Sequence, residues 1–140
     1  MYLKTCGAAL AAAMLLTGCG GGNAGTKADT RKDVAKVVAQ LGAAARDGDA
    51  GTICTGLLTK NLQTSIRRAA GTSCAQEVAH NVFGPKTRFQ VEKLDVGHGQ
   101  AVALVKDQDG RRSSLVLLPE SGAWKIARIG SVADVKTLGN

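Results

Sequence analysis

Residues 88–129, RFQVEKLDVGHGQAVALVKDQDGRRSSLVLLPESGAWKIARI, decide the fold class of this chain. Apolar and polar side chains alternate along this stretch, which is the pattern of half-buried β-strands. Short turns interrupt the alternation, and one of them contains the Asp-Gly pair at 109–110, a strong hairpin signal. The pattern predicts an antiparallel meander of four strands, at 88–96, 100–106, 111–118 and 123–129.

The first of these strands changes phase part-way along. Phe89 and Val91 share one face, whereas Leu94 and Val96 follow in the opposite phase. Such a slip predicts a β-bulge near 92–93.

The residues before the meander have helical spacing. Val34, Val38 and Leu41 recur at intervals of three and four. We predict helices at 31–47, 50–58, 59–70 and 73–83, with N-caps at Thr30 (in a capping box with Asp33), Asp49, Thr59 and Ser73. Helices that precede an antiparallel sheet indicate the α+β class.

The order of elements resembles a known fold. Helices, a bulged meander and a last strand with Gly-Ala-Trp-Lys-Ile at 122–126 resemble the NTF2-like (cystatin-like) fold, over residues 31–131. Gly48-Asp49 after the first helix and a cysteine pair in the helical region are similar to features of small lipoproteins of this group. The resemblance implies N-terminal helices packed on a curved four-stranded antiparallel meander, a cone. Because this fold carries many functions, it does not name the activity.

The N-terminal segment has the features of a secretory signal peptide. Lys4 is followed by the apolar residues 6–16, a stretch much shorter than the ~20 residues that span a bilayer as a helix. Leu16-Thr17-Gly18-Cys19 resembles the lipobox of bacterial lipoproteins. The resemblance implies cleavage before Cys19 and a lipid on its sulfur. The alternative is an ordinary secretory peptide that leaves Cys19 as a free thiol.

These features predict the domain organisation and the location. We expect a lipoprotein signal peptide at 1–18, a flexible glycine-rich tether at 19–30 and an NTF2-like domain at 31–137. The protein is then anchored to the cell membrane through lipid on Cys19 and faces the extracytoplasmic side.

Four cysteines are present in the sequence. Cys6 leaves with the signal peptide and Cys19 carries lipid, so Cys54 and Cys74 remain as one pair in an oxidising compartment. We predict a disulfide between them. The alternative is a metal or catalytic thiol site joined by the two histidines, His80 and His98. We expect no metal and no cofactor.

Four apolar residues are candidates for the core or for the lining of a cavity: Phe83, Phe89, Trp124 and Ile126. Trp124 and Ile126 lie on the same face of the last strand, so Trp124 is either a core residue or a platform for a ligand.

No catalytic residues are predicted. NTF2-like enzymes such as ketosteroid isomerases use a cavity carboxylate with a tyrosine donor, and the single tyrosine here, Tyr2, lies in the predicted signal peptide. The net charge of +7 suits an anionic partner, but the pairs Arg67-Arg68 and Arg111-Arg112 are not interleaved with aromatic residues. We therefore expect no nucleic-acid partner.

The sequence favours a non-catalytic binding or protein-interaction module at the cell envelope. The alternative is a carrier or sensor of a small apolar molecule in the cone cavity, and a third possibility is an enzyme with an unrecognised site. A filled cone with an exposed apolar patch favours a protein partner, whereas an open apolar cavity favours the carrier.

Overall fold

The computed structural model describes residues 27–97 and 99–132. The predictions on the signal peptide, Cys19, His98 and the last residues of the domain lie outside these ranges. The helices are α1 (Lys27–Asp47), α2 (Ala50–Thr52), α3 (Lys60–Ala70) and α4 (Cys74–Glu77); α2 continues into a first π-helical turn, Ile53–Leu57, and α4 into a second, Val78–Val82. The strands are β1 (Phe89–Val96), β2 (Ala101–Asp107), β3 (Arg112–Glu120) and β4 (Ala123–Ser131).

Helix α1 lies along the sheet and begins earlier than predicted. It includes Lys27 to Thr30, which were expected in the tether, so Thr30 lies within the helix and the predicted capping box with Asp33 is wrong. Its buried side is formed by Val34, Val38 and Leu41, each at most 2% exposed. The helix ends at Gly48, whose φ of +73° is a conformation that glycine adopts without steric cost.

The shorter helices begin at the predicted caps. Asp49 accepts a hydrogen bond from the Thr52 N–H, Thr59 accepts one from the Leu62 N–H, and Ser73 forms a capping box with Gln76. The helices predicted at 50–58 and 73–83 each start as α-helix and close as a π-helical turn. Elements of this length are not stable alone, so their stability depends on packing against the rest of the domain.

The strands pair antiparallel in the order β1-β2-β3-β4. The predicted bulge is confirmed, since the β1–β2 register shifts between Val91 and Lys93. A second shift, which the sequence analysis missed, leaves Ala127 of β4 without an opposite residue in β3. Bulges increase the local twist of a sheet, and this sheet is curved. Pro119 and Glu120, predicted in a turn, belong to β3 instead.

The core lies between the concave face of the sheet and the helices. Its largest buried side chains come from both layers and each is less than 2% exposed: Leu41, Ile53, Leu58, Leu115, Leu117 and Ile126. The predicted α+β architecture, with N-terminal helices on a curved four-stranded meander, is confirmed.

The outer edge of β4 is covered by the segment between α2 and α3. Leu58 forms a parallel bridge with Ile126, and the Thr59 N–H donates to the Ile126 carbonyl at 2.9 Å. The Lys125 ammonium donates to the Gly56 carbonyl in the first π-helical turn. Beside the outer edge of β1, by contrast, the described ranges place no strand. There Arg31 of α1 donates from Nη1 to the Leu94 carbonyl at 2.7 Å.

Candidate functional site

The two cysteines of the helical region meet. The sulfur atoms of Cys54 and Cys74 are 2.08 Å apart, which is disulfide distance, and the two residues are 4% and 6% exposed. The bond links the first π-helical turn to the start of α4. His80 is exposed, and no group of three or more metal-ligating side chains in 27–97 and 99–132 is arranged to hold an ion.

The two phenylalanines contact each other between the second π-helical turn and β1. The ring centroids of Phe83 and Phe89 are 5.2 Å apart at an interplanar angle of 75°, an edge-to-face pair. Phe83 is 6% exposed, whereas Phe89 is half-buried. Phe83 belongs to the buried core, and Phe89 packs against it.

Trp124 and Ile126 share a strand face, as predicted, but have different surroundings. Ile126 is fully buried in the centre of the core. Trp124 is half-buried and lies near the strand's start, beside a hollow of about 290 Å³ that Val37 and Gln40 of α1 also line. The four apolar candidates therefore do not converge on one site.

A first apolar concavity lies between the end of α1 and the disulfide-linked helices. This helical cleft has a volume of about 250 Å³ and a mostly apolar lining, which includes Ala44, Ala45, Ile53, Val78, Ala79 and Phe83. His80 and Pro85 also line it. The small alanine side chains leave the space that larger residues would occupy.

A second concavity lies between α1 and the start of β1. This β1 groove has a volume of about 630 Å³ and is lined by Val38, Ala39, Gly42, Ala43, Arg46, Arg88, Phe89 and Val91. In the described chain two large hydrophobic residues are exposed: Val91, at 51%, and Leu118, at 37%. The sequence analysis identified neither concavity, although Ala35, Ala39 and Ala43 at intervals of four were a visible sign of a small-residue helix face.

The pKa values of the Asp49 and Asp107 carboxylates are lowered, and both carboxylates accept hydrogen bonds from backbone N–H groups. Hydrogen bonds from the Thr52 hydroxyl at 2.6 Å and the Thr52 N–H at 3.0 Å lower the pKa of Asp49. Burial acts to raise the pKa of Asp107, but backbone hydrogen bonds from Arg111 and Asp109 and the Arg111 charge outweigh it, so the pKa is lowered. Groups held ionised in this way are suited to capping rather than to proton transfer at neutral pH.

Comparisons with known proteins identify the fold. The sequence matches no protein-family model and no curated protein. Among solved structures, an NTF2-like protein of unknown function from Shewanella baltica is similar, with a TM-score of 0.53 at 15% identity over 75% of this chain and 94% of the other. An NTF2-like protein of unknown function from Silicibacter pomeroyi is also similar, with a TM-score of 0.51 at 14% identity over 75% of this chain and 96% of the other.

The chain therefore has the NTF2-like fold, which the resemblance of its sequence to that group implied. At such low sequence identity, structural similarity establishes the fold but not the activity of this chain. Within the described ranges, no helix is both long and apolar enough to cross a membrane.

Proposed function

We propose that this chain is a lipid-anchored protein of the extracytoplasmic face of the cell membrane, and that its NTF2-like domain is a non-catalytic protein-interaction module. The observation that carries the interaction role is the distribution of apolar side chains. The concave side of the sheet is filled by residues such as Leu115, Leu117 and Ile126, at 0% exposure, while Val91 and Leu118 remain exposed on the surface.

A filled cone supports binding at the outer surface. Enzymes and carriers of this fold class need an interior space with polar groups aimed into it. Here Leu41 of α1, Ile53 of the first π-helical turn and Leu58 occupy that space, each at most 1% exposed. The buried polar side-chain atoms of the described chain all have hydrogen-bond partners, so none of them is left over for a substrate.

The anchor is supported by the sequence alone. Leu16-Thr17-Gly18-Cys19 follows an apolar segment of signal-peptide length, and Gly20 to Gly22 follow it. A domain attached in this way remains at the membrane surface, where its concentration relative to other envelope proteins is high.

The anchor is tested by expressing the full chain and its Cys19→Ala variant in the source cells and separating membrane and soluble fractions. We expect the parent chain in the membrane fraction and the variant in the soluble fraction. A variant that stays in the membrane fraction would contradict lipid attachment at Cys19.

The interaction role is tested by photo-crosslinking in the same cells, with a photo-reactive residue placed at one exposed position at a time. We expect a discrete adduct with one envelope protein from adjacent positions, and loss of that adduct in the Cys19→Ala background. An absence of discrete adducts from every face of the domain would contradict the interaction role.

A second candidate function, binding of a small apolar molecule, is favoured by the helical cleft. Its lining is largely apolar, as in small-ligand sites, and its volume of about 250 Å³ is slightly below the ~300 Å³ at which the range for such sites begins. Native mass spectrometry of the protein extracted gently from its own membrane distinguishes the two functions. Excess mass equal to a small molecule would favour the ligand, and a bare lipidated chain would favour the protein partner.

A further inference from the structure

We propose that the β1 groove binds a short, extended, acidic segment of the partner protein, which adds to the outer edge of β1. This inference rests on the proposed function and gives it a surface and a partner chemistry. Three properties of the groove carry it: an uncovered apolar residue, a strand edge beside which residues 27–97 and 99–132 place no further strand, and a positive charge with no acidic side chain in the lining.

The uncovered residue is Val91. It pairs with Val105 of β2, which is 1% exposed, so the two side chains lie on the same, core-facing side of the sheet. Val91 is nevertheless 51% exposed. The groove wall on α1 is formed by residues as small as Ala39 and Gly42, which are too short to cover it. A side chain from another molecule can occupy the space that α1 leaves open.

The strand edge limits the length of the bound segment. Edge strands present unpaired backbone groups to which a further strand can bond. On β1 the bulge at Glu92 interrupts this edge, and beyond it the Leu94 carbonyl already accepts the Arg31 guanidinium. The Arg88 N–H donates to Gln108 Oε1 at 2.8 Å, so the accessible edge runs from Phe89 to Val91, about 10 Å of extended chain. That length accommodates three or four residues, with alternate side chains directed into the groove.

The charge of the groove selects an acidic segment. Its lining contains Arg46 and Arg88 and no acidic side chain. The ion pair that Arg46 makes within the described chain is with its exposed neighbour Asp47, at 3.3 Å, and such pairs are weak. None of the ion pairs in the described ranges includes the Arg88 guanidinium. Because the whole chain has a net charge of +7, a second copy of it is electrostatically disfavoured as the occupant.

The test uses a fluorescent, acetylated peptide of alternating valine and glutamate, titrated by anisotropy against the full chain in mild detergent at low ionic strength. We expect saturable binding that Val91→Lys weakens by about tenfold or more, as loss of a central apolar contact does. The matched control is Leu118→Lys, at the other exposed large hydrophobic residue, which should change binding by less than about twofold. Thermal unfolding checks that both variants are folded.

Two further comparisons test the chemistry. Arg88→Glu should weaken binding, whereas Arg67→Glu on α3, outside the groove, should leave it within about twofold. A peptide with N-methyl groups on alternate backbone nitrogens should bind more weakly, because it cannot pair along the strand. A peptide with lysine in place of glutamate should not bind.

Two binding results would overturn the inference: equal loss of binding in Val91→Lys and Leu118→Lys, or undiminished binding of the N-methylated peptide. A dimer of the parent chain that Val91→Lys dissociates would also overturn it, because a second copy would then be the occupant of the groove. Its failure can be told apart from failure of the proposed function. Photo-crosslinks to one envelope protein from positions around Leu118, with none from the β1 groove, would contradict the groove as the binding site. They would still support the protein-interaction role.

Discussion

The two outer edges of the sheet differ in what covers them. On β4, Leu58 forms a β-bridge with Ile126 and the Thr59 N–H donates to the Ile126 carbonyl, whereas on β1 the Arg31 guanidinium donates a hydrogen bond to the Leu94 carbonyl. The segment on β4 comes from far earlier in the chain, and Cys54, four residues before Leu58, is bonded to Cys74 at the start of α4. The groove beside β1 is open because α1 carries alanine and glycine opposite Val91. Small residues in α1 thus leave the sheet open beside β1, whereas a chain segment covers it beside β4.

The largest expected effect is the difference in free energy of unfolding between a substitution at the covered edge, in β4, and one at the open edge, in β1. Ile126→Ala removes a side chain that is 0% exposed beneath Leu58, and we expect it to lower the free energy of unfolding by about 3–4 kcal/mol. Val91→Ala, at a residue that is 51% exposed, should cost less than about 1 kcal/mol. Chemical denaturation measures both. Similar losses in the two variants would contradict the difference between the edges.

The cysteine pair provides the second test. Closing a loop over a sequence separation of 20 residues contributes about 3 kcal/mol in the chain-entropy model. We expect the double variant Cys54→Ala/Cys74→Ala to lose about that amount. Hydrogen exchange of the Thr59 amide should become faster in this variant, since the segment that covers β4 is no longer held. Unreduced protein that reacts readily with an alkylating agent would contradict the disulfide itself.

A smaller effect is expected at the cap of α3. Thr59 is 5% exposed, and its hydroxyl accepts the Leu62 N–H at 3.2 Å. Thr59→Ala should lower the free energy of unfolding by about 1 kcal/mol, and Thr59→Ser, which retains the hydroxyl, by about half of that or less. The shift in denaturation midpoint measures the difference. Equal losses in the two variants would show that the methyl group and not the cap stabilises this position.

The smallest effect concerns the hairpin beside the open edge, where Asp107 pairs with Phe89 of β1. The folded-state pKa of Asp107 is lowered, so its ionised form stabilises the fold above the unfolded pKa of about 4 and this contribution is lost as the pH falls through the folded pKa. Asp107→Asn should therefore be less stable than the parent chain at neutral pH, and the difference should disappear in acid. Denaturation at a series of pH values tests this, and a constant difference would contradict it.

Much of the fold could be predicted because local signals agree with it. The bulge in β1 followed from the three-residue step between Val91 and Leu94, and the caps at Thr59 and Ser73 followed from their side chains. The bulge at Ala127 was missed although Ile126 and Ile129 show the same step. It could have been predicted by the same reasoning.

Other features depend on packing that a single sequence does not specify. The start of α1 was placed too late because Thr30 has the side chain of a cap, yet the helix continues past it to Lys27. The exposure of Val91 depends on which α1 residues lie opposite β1, and this is set by the path of the helix across the sheet. For the same reason the sequence offered Phe83, Phe89, Trp124 and Ile126 only as one set of candidates for core or cavity and could not assign them to separate surroundings.

The covered edge of β4 also fixes how far assembly can proceed. A sheet with two free edges can add strands on both sides and grow into a fibre. In the described chain, the bridge from Leu58 to Ile126 and the Thr59 hydrogen bond occupy the β4 edge at its centre, so strand addition is favoured at β1 alone. A molecule that pairs with β1 is therefore not relayed through β4 to a further strand, so strand addition joins this chain to one partner and does not build a fibre from it.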